Sequence, residues 1–273
     1  DENGNKLGGE VTVNTATLHV QTAPSVAALS DGGYVVAWQS NAVDHGLGSS
    51  GISIQRYDAN GVAQGGEVVV DSPIGGDIVP SVTGLTGGGF VVTWSENHLG
   101  GGNGLGIFAQ RYDASGTAQG AKIAVNSYFG AFEGPSVVAA TSSGGFVIAW
   151  QSANEDGSSN GIYMQRYDAS GVAQGGETRV NTTTLDSQEQ PAIVALSGGG
   201  YVVAWASHGQ DGDGYGIYMQ RYDNSGTALG GETLVNSHIA GDQTQPSLTA
   251  LASGGYAVTW TSAGEDGSGQ GIY

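Results

Sequence analysis

The residues best suited to chemistry are carboxylates set one or two positions apart beside glycine. They occur in Asn154-Glu155-Asp156-Gly157-Ser158, Gln210-Asp211-Gly212-Asp213-Gly214 and Gly264-Glu265-Asp266-Gly267-Ser268. Closely spaced carboxylates, with glycine letting the backbone turn its carbonyls inward, are the ingredients of an oxygen-ligand Ca²⁺ site. Glu155, Asp156, Asp211, Asp213, Glu265 and Asp266 are therefore the candidate ligands, and Ca²⁺ is the expected cation. No loop holds the full EF-hand pattern or its bidentate Glu, and Asp-Gly also simply turns hairpins, so both readings stand. The corresponding stretches Asp44-His45-Gly46-Leu47-Gly48 and Leu99-Gly100-Gly101-Gly102-Asn103 lack the pattern.

A second candidate is aromatic. Ser127-Tyr128-Phe129-Gly130-Ala131-Phe132-Glu133 places three aromatics where the matching stretches are small and polar. Aromatic faces beside carboxylates and amides stack on sugar rings, and they also pack over the mouth of a channel. Tyr128, Phe129 and Phe132, with His208 and Tyr215, are the candidate ligand-binding residues. The five histidines show no metal-ligand spacing such as two His at i, i+4. No Gly-x-Ser-x-Gly elbow lies between a strand and a helix. Paired carboxylates for glycoside hydrolysis could assemble among so many acids without selection for it. The expectation is a chain that is not an enzyme.

These segments are positioned by a repeat. Trp38, Trp94, Trp150, Trp205 and Trp260 are spaced 56, 56, 55 and 55 residues apart, and Pro24, Pro80, Pro135, Pro191 and Pro246 keep nearly the same step. Such a period means a repeat architecture. Each unit reads as four short strands, here A to D, rich in β-branched and aromatic residues and bounded by Gly, Asn, Asp and Ser. Proline is expected to open strand A. The turn Asp223-Asn224-Ser225-Gly226 has type I chemistry between C and D, and Gly230-Gly231 suits a bulge entering D.

The chain opens at Asp1–Asn14 with a stretch matching Asp223–Asn236 and closes at Gly271-Ile272-Tyr273, partway through a strand C. The two ends complement one another, lacking only counterparts of Met219 to Tyr222. The predicted fold is all-β, one domain over 1–273: a five-bladed β-propeller of four-stranded blades, the last closed by the N-terminal strand. An open stack of sheets is the structural alternative. In a propeller the B–C and D–A loops share one face. That face takes more than half of the acids, all five histidines, and no Lys or Arg. Arg56, Arg111, Arg166 and Arg221 in Gln-Arg-Tyr-Asp are expected to pair with Asp58, Asp113, Asp168 and Asp223 or a neighbouring Glu.

The formal net charge of −18 repels nucleic acid and anionic membrane. There is no cysteine, so no disulfide or thiol chemistry. No apolar segment approaches 18 residues, and no signal peptide opens the chain, which reads as a mature or excised piece.

The unit Gly-Gly-Tyr-Val-Val-Ala-Trp, Asp-Gly-x-Gly, Gly-Ile-Tyr-x-Gln-Arg-Tyr-Asp, Gly-Gly-Glu, Val-Asn resembles tandem repeats of large secreted bacterial adhesin-like proteins that occur alongside hemolysin-type (RTX) calcium-binding modules. The resemblance covers essentially the whole chain and implies a secreted or cell-surface setting. The Gly-Gly-x-Gly-x-Asp nonapeptides of RTX β-rolls are absent. The expected function is a non-catalytic recognition module that binds a glycan or cell-surface protein on its acidic face, with help from Ca²⁺. The alternatives are a structural spacer of a long adhesin and a polysaccharide-acting enzyme.

Overall fold

The computed structural model describes residues 8–15, 17, 20–40, 50–71, 79–97, 104–128 and 132–273, and these contain no helix. The first sheet comprises β1 (Gln21–Ala28), β2 (Tyr34–Ser40), β3 (Gly51–Tyr57) and β4 (Ala63–Asp71); the second, β5 (Ser81–Gly84), β6 (Phe90–Asn97), β7 (Leu105–Tyr112) and β8 (Ala118–Ala124). The third holds β9 (Glu133–Ala140), β10 (Phe146–Ala153), β11 (Asn160–Tyr167) and β12 (Thr178–Arg179); the fourth, β13 (Gln188–Ala195), β14 (Tyr201–His208), β15 (Tyr215–Tyr222) and β16 (Thr233–Leu234). The fifth holds β17 (Gln243–Ala250), β18 (Tyr256–Ala263) and β19 (Gln270–Ile272). Every pairing is antiparallel between neighbours in sequence, and β1, β5, β9, β13 and β17 pack successively against one another on the inside. The chain is a five-bladed β-propeller.

The strands form because alternate residues serve opposite faces, and each face meets a different neighbour. Val35, Ala37, Ile52 and Ile54 of the first blade pack against Phe90, Val92 and Trp94 of the second, and the next two interfaces repeat this with Trp150 and Trp205. Trp94, Trp150 and Trp205 are fully buried. Tyr34–Tyr57, Phe90–Tyr112, Phe146–Tyr167 and Tyr201–Tyr222 stack across the B–C hairpins at 4.8–5.0 Å. The glycine before each of these B-strand aromatics is required. A Cβ at Gly33, Gly89, Gly145 or Gly200 would fall 2.1–2.2 Å from the carbonyl oxygen of Tyr57, Tyr112, Tyr167 or Tyr222. The repeated Gln of Gln-Arg-Tyr-Asp is buried and donates to bulge carbonyls: Gln165 Nε2 reaches Arg166 O at 2.9 Å and Gly175 O at 3.3 Å.

Four sequence expectations are corrected. The A strands of the first, third, fourth and fifth blades begin before their prolines, each of which sits in an irregular stretch of the ladder; Ala23, Gln190 and Gln245, immediately before three of them, have φ near +50 to +57°. A bulge tolerates the missing N–H there. The arginines do not pair with the Asp of their own motif. Arg111 Nη1 and Nη2 donate at 2.5 Å to Ser170 O and Ala169 O, in the turn of the next blade, and Arg166 reaches Ser225 O and Asn224 O likewise. The motif Asp instead caps its own turn, Asp113 Oδ1 accepting from Ser115 and Thr117 N–H at 2.8 and 3.0 Å. The loop face does receive a cation: the Lys122 ammonium lies over the Phe108 ring, 4.6 Å from its centre, and donates to Asp71 at 2.6 Å and Glu96 at 2.5 Å.

The fourth correction concerns closure. The fifth sheet has three strands, and among the described residues Glu10–Asn14 make no ladder with β19. Outer strands β12 and β16 pair through Tyr163 with Met164 and Tyr218 with Met219. The N-terminal segment instead rests on the first blade, where Thr15 N–H donates to Glu67 Oε2 at 3.0 Å.

Candidate functional site

The third blade departs most from the repeat, and its departures meet. Asn126, buried at the end of the second blade, accepts from Ile107 N–H at 2.8 Å and donates to Tyr128 O at 2.5 Å, fixing where the aromatic connection leaves the sheet. Ser127 N–H donates to Glu177 Oε2 at 2.8 Å. At the far end of that connection Phe132 O accepts from Ala153 N–H at 3.1 Å, which places Phe132 and Glu133 beside the start of the Asn154–Ser159 loop. Phe129 lies outside the described residues. Phe132 is exposed and Tyr128 half-buried.

Glu133 is completely buried. It faces Ser152 in register, as Gln21, Gln188 and Gln243 face Ser40, Ser207 and Ser262, so a carboxyl occupies an amide position. Its Oε1 accepts from Ser152 Oγ at 3.0 Å; its Oε2, like the nearby Trp150 Nε1, has no hydrogen-bond partner. Burial pushes Glu133 up to about 9, and the charges of Glu155 and Glu177 add to this.

Glu155 is a second carboxyl in an amide position. In the fourth blade Gln210 accepts from Ser207 Oγ at 2.7 Å and donates to Glu232. Glu155 holds the corresponding place, against Glu177. Burial first, then Glu177, push it up to about 8. Its Oε2 is buried with no hydrogen-bond partner. Asp156 Oδ1 accepts from Ser158 N–H at 3.1 Å, while Oδ2 is buried and unpartnered over Gly161. The phenol of Tyr163 is raised by burial and by Glu155 and Asp156, and stays protonated. The result is a half-open group of carboxyls beside the aromatic connection, in which burial raises both Glu133 and Glu155 above the usual carboxylate range.

His208 and Tyr215 face one another across β14 and β15, their rings T-shaped at 4.9 Å. His208 Nδ1 lies 3.8 Å from Asp186 Oδ2, and Asn160 of the third blade donates to Glu189 Oε1 at 3.0 Å, linking the two blades. The predicted Ca²⁺ ligands are dispersed over three loops. Asp211 Oδ1 accepts from Asp213 N–H at 3.3 Å, Asp213 Oδ2 from Gly241 N–H at 3.1 Å, and Asp266 Oδ1 from Ser268 N–H at 3.0 Å. Among the described residues no three acidic or imidazole side chains converge on a point where one ion could sit. His19, His45 and His98 lie outside those residues.

Sequence reading missed Glu177, Ser152 and Asn126 as members of this site and treated Glu133 only as one acid among many. The signal for Glu133 is present, since Gln stands at its register in three other units. Glu177 carries no signal, because its Gly-Gly-Glu context recurs as a structural element.

No family model and no curated protein matches the sequence. Solved structures do match in fold. An α-L-arabinanase from Penicillium chrysogenum complexed with arabinobiose aligns over 91% of this chain and 75% of its own, at 16% identity and a TM-score of 0.59. An α-L-arabinofuranosidase from Fusarium graminearum aligns over 88% and 71% at 12% identity and 0.55, and an endo-arabinase from Bacteroides thetaiotaomicron over 97% and 96% at 13% and 0.52. At these identities the likeness establishes the propeller fold. The expectation that the chain is not an enzyme is corrected by this likeness, since solved structures sharing the fold are named as an arabinanase, an arabinofuranosidase and an endo-arabinase.

Proposed function

We propose that the chain acts on glycans and cleaves glycosidic bonds at the third blade, with Glu155 as the acid. One observation carries this reading. A half-buried carboxyl that keeps its proton at neutral pH, set among Asp156, Glu177 and Glu133, gives the mixture of protonated and ionisable groups that glycoside hydrolysis uses. Glu155 would protonate the departing oxygen. A second carboxyl acts on the opposite side of the sugar, either as nucleophile or as base for water. Asp156, which follows Glu155 on the same loop, is assigned that part. Tyr128 and Phe132 offer ring faces to a sugar beside it. The folds of the arabinan-acting enzymes support a glycan as substrate, and the repeat resemblance supports a secreted or cell-surface setting.

The test is release of reducing ends from arabinan, xylan and a panel of neutral polysaccharides. Glu155→Gln should lower turnover by ~10²–10⁴-fold, the range general acid catalysis supplies. Its melting temperature should hold, because Gln210 already fills the equivalent place in the fourth blade. Hydrolysis unchanged in Glu155→Gln, or no product from any glycan, refutes the assignment.

A further inference from the structure

The fourth blade carries, on the loop face, a pair of rings that the scaffold does not need. The last residue of strand B faces the first residue of strand C at one register in four blades. Asn97 faces Leu105 in the second, Ala153 faces Asn160 in the third and Ala263 faces Gln270 in the fifth, whereas in the fourth His208 faces Tyr215. The ladder therefore accepts alanine opposite an amide. The two rings meet edge to face at 4.9 Å and stay open to solvent, the His208 side chain 47% exposed and Tyr215 only partly buried. Leu185, on the connection beside them, is 75% exposed. Ring and aliphatic surface kept at the exterior without a packing duty is the mark of a contact site.

Hydrogen-bonding groups rim the pair. His208 N–H donates to Ser187 O at 2.9 Å, which holds the Leu185–Ser187 stretch beside the imidazole, and the Asp186 carboxylate there is 67% exposed. Asp242 Oδ1 accepts from Tyr215 N–H at 3.2 Å. Burial, then the charge of Glu189, raises the Tyr215 phenol, which stays protonated. The pair also adjoins the third-blade carboxyls. Glu189 Oε1 accepts from Asn160 Nδ2 at 3.0 Å, and Asn160 faces Ala153 across the base of the loop that carries Glu155. Ala153 N–H in turn donates to Phe132 O. Exposed Phe132, the Glu155 loop and the His208–Tyr215 pair thus follow one another across two adjacent blades.

We propose that His208 and Tyr215, with Asp186 and Glu189, form a second sugar subsite that holds a further residue of a neutral oligosaccharide lying across Glu155. The inference rests on the assignment of Glu155 as the acid. Ring surface covers the C–H side of a sugar, and the carboxylates accept from its hydroxyls. A uronic acid would bring its own charge against Asp186, Glu189 and Asp242 and is disfavoured. The subsite suits chains of several sugars better than short glycosides.

The test is titration calorimetry of the Glu155→Gln chain with linear arabino- and xylo-oligosaccharides of two to six sugars, alone and with His208→Ala or Tyr215→Asn added. Both additions copy the third blade, so melting temperatures should hold. Affinity should rise with length, and each addition should weaken the longest ligand about tenfold while leaving the disaccharide unchanged. Tyr215→Phe keeps the ring and should keep the affinity. Equal loss at every length, no loss, or no binding of any oligosaccharide overturns the subsite. Because binding is read rather than turnover, the two assignments fail separately. Hydrolysis abolished by Glu155→Gln with affinities untouched by the additions refutes the subsite alone; a length-dependent loss beside hydrolysis that ignores Glu155 refutes only the acid.

Discussion

Replacing Glu133 by Gln should change the pH dependence of stability more than stability itself. The group is fully buried, and burial raises it to about 9. In the unfolded chain a glutamate titrates near ~4.3. Between those values the folded protein retains a proton that the unfolded chain releases, so stability falls as pH rises. The slope approaches ~1.4 kcal/mol per pH unit for one such group. From pH 6 to pH 8 the wild type should lose about 2.7 kcal/mol through Glu133 alone. Gln has no proton to lose, and Gln21, Gln188 and Gln243 show that the register accepts it. Thermal unfolding of both proteins at pH 6, 7 and 8 should show Glu133→Gln near wild type at pH 6 and higher-melting by roughly 5–10 °C at pH 8. Glu155 remains in both proteins, so the difference between them isolates Glu133. A difference that does not grow with pH, or a variant destabilised equally throughout, would mean that the carboxyl is ionised and paired in the fold.

Two contrasts test the packing. Arg111→Ala removes two bonds to the next blade's turn and should cost about 1–3 kcal/mol in urea unfolding, whereas Arg221→Ala, exposed and outside any such clamp among the described residues, should stay within about 0.5 kcal/mol. Gly145→Ala should lower the unfolding midpoint by the equivalent of more than about 2 kcal/mol, because its Cβ would stand 2.1 Å from Tyr167 O, whereas Gly176→Ala meets nothing within 4 Å and should change it little.

The tryptophan period and the paired Gly and aromatic signals made the propeller legible, because each marks one structural unit with one packing duty. What escaped the sequence lies between units. Arg111 and Ser170 are 59 residues apart, and their bond exists only because successive blades pack with a fixed offset. Strand starts were misplaced because a bulge lets proline sit inside a ladder, a possibility that residue type alone does not announce. The Lys122 ammonium reaches the acidic face by a stem that strand assignment cannot trace. The aromatic connection and the Glu155–Asp156 loop were each readable as chemistry, yet their meeting depends on Asn126 and on the pairing of Ala153 with Phe132.

The repeat itself offers the control that a lone site would lack. The third and fourth blades share their ladder, their Asn clamp and their Ser at the same register, so the fourth shows what the scaffold needs when no proton is at stake. There Gln188 and Gln210 meet the requirement with amides. A neutral carboxyl offers the same acceptor and donor as an amide, so Glu133 and Glu155 preserve the fold only while each keeps its proton. The substitutions therefore cost nothing at acidic pH and grow costlier as pH rises. Of the two, fully buried Glu133 can affect stability alone, while half-exposed Glu155 can also pass its proton to a bound molecule. Glycan hydrolysis lost in Glu155→Gln but retained in Glu133→Gln would separate the group that reacts from the group that only shares its environment.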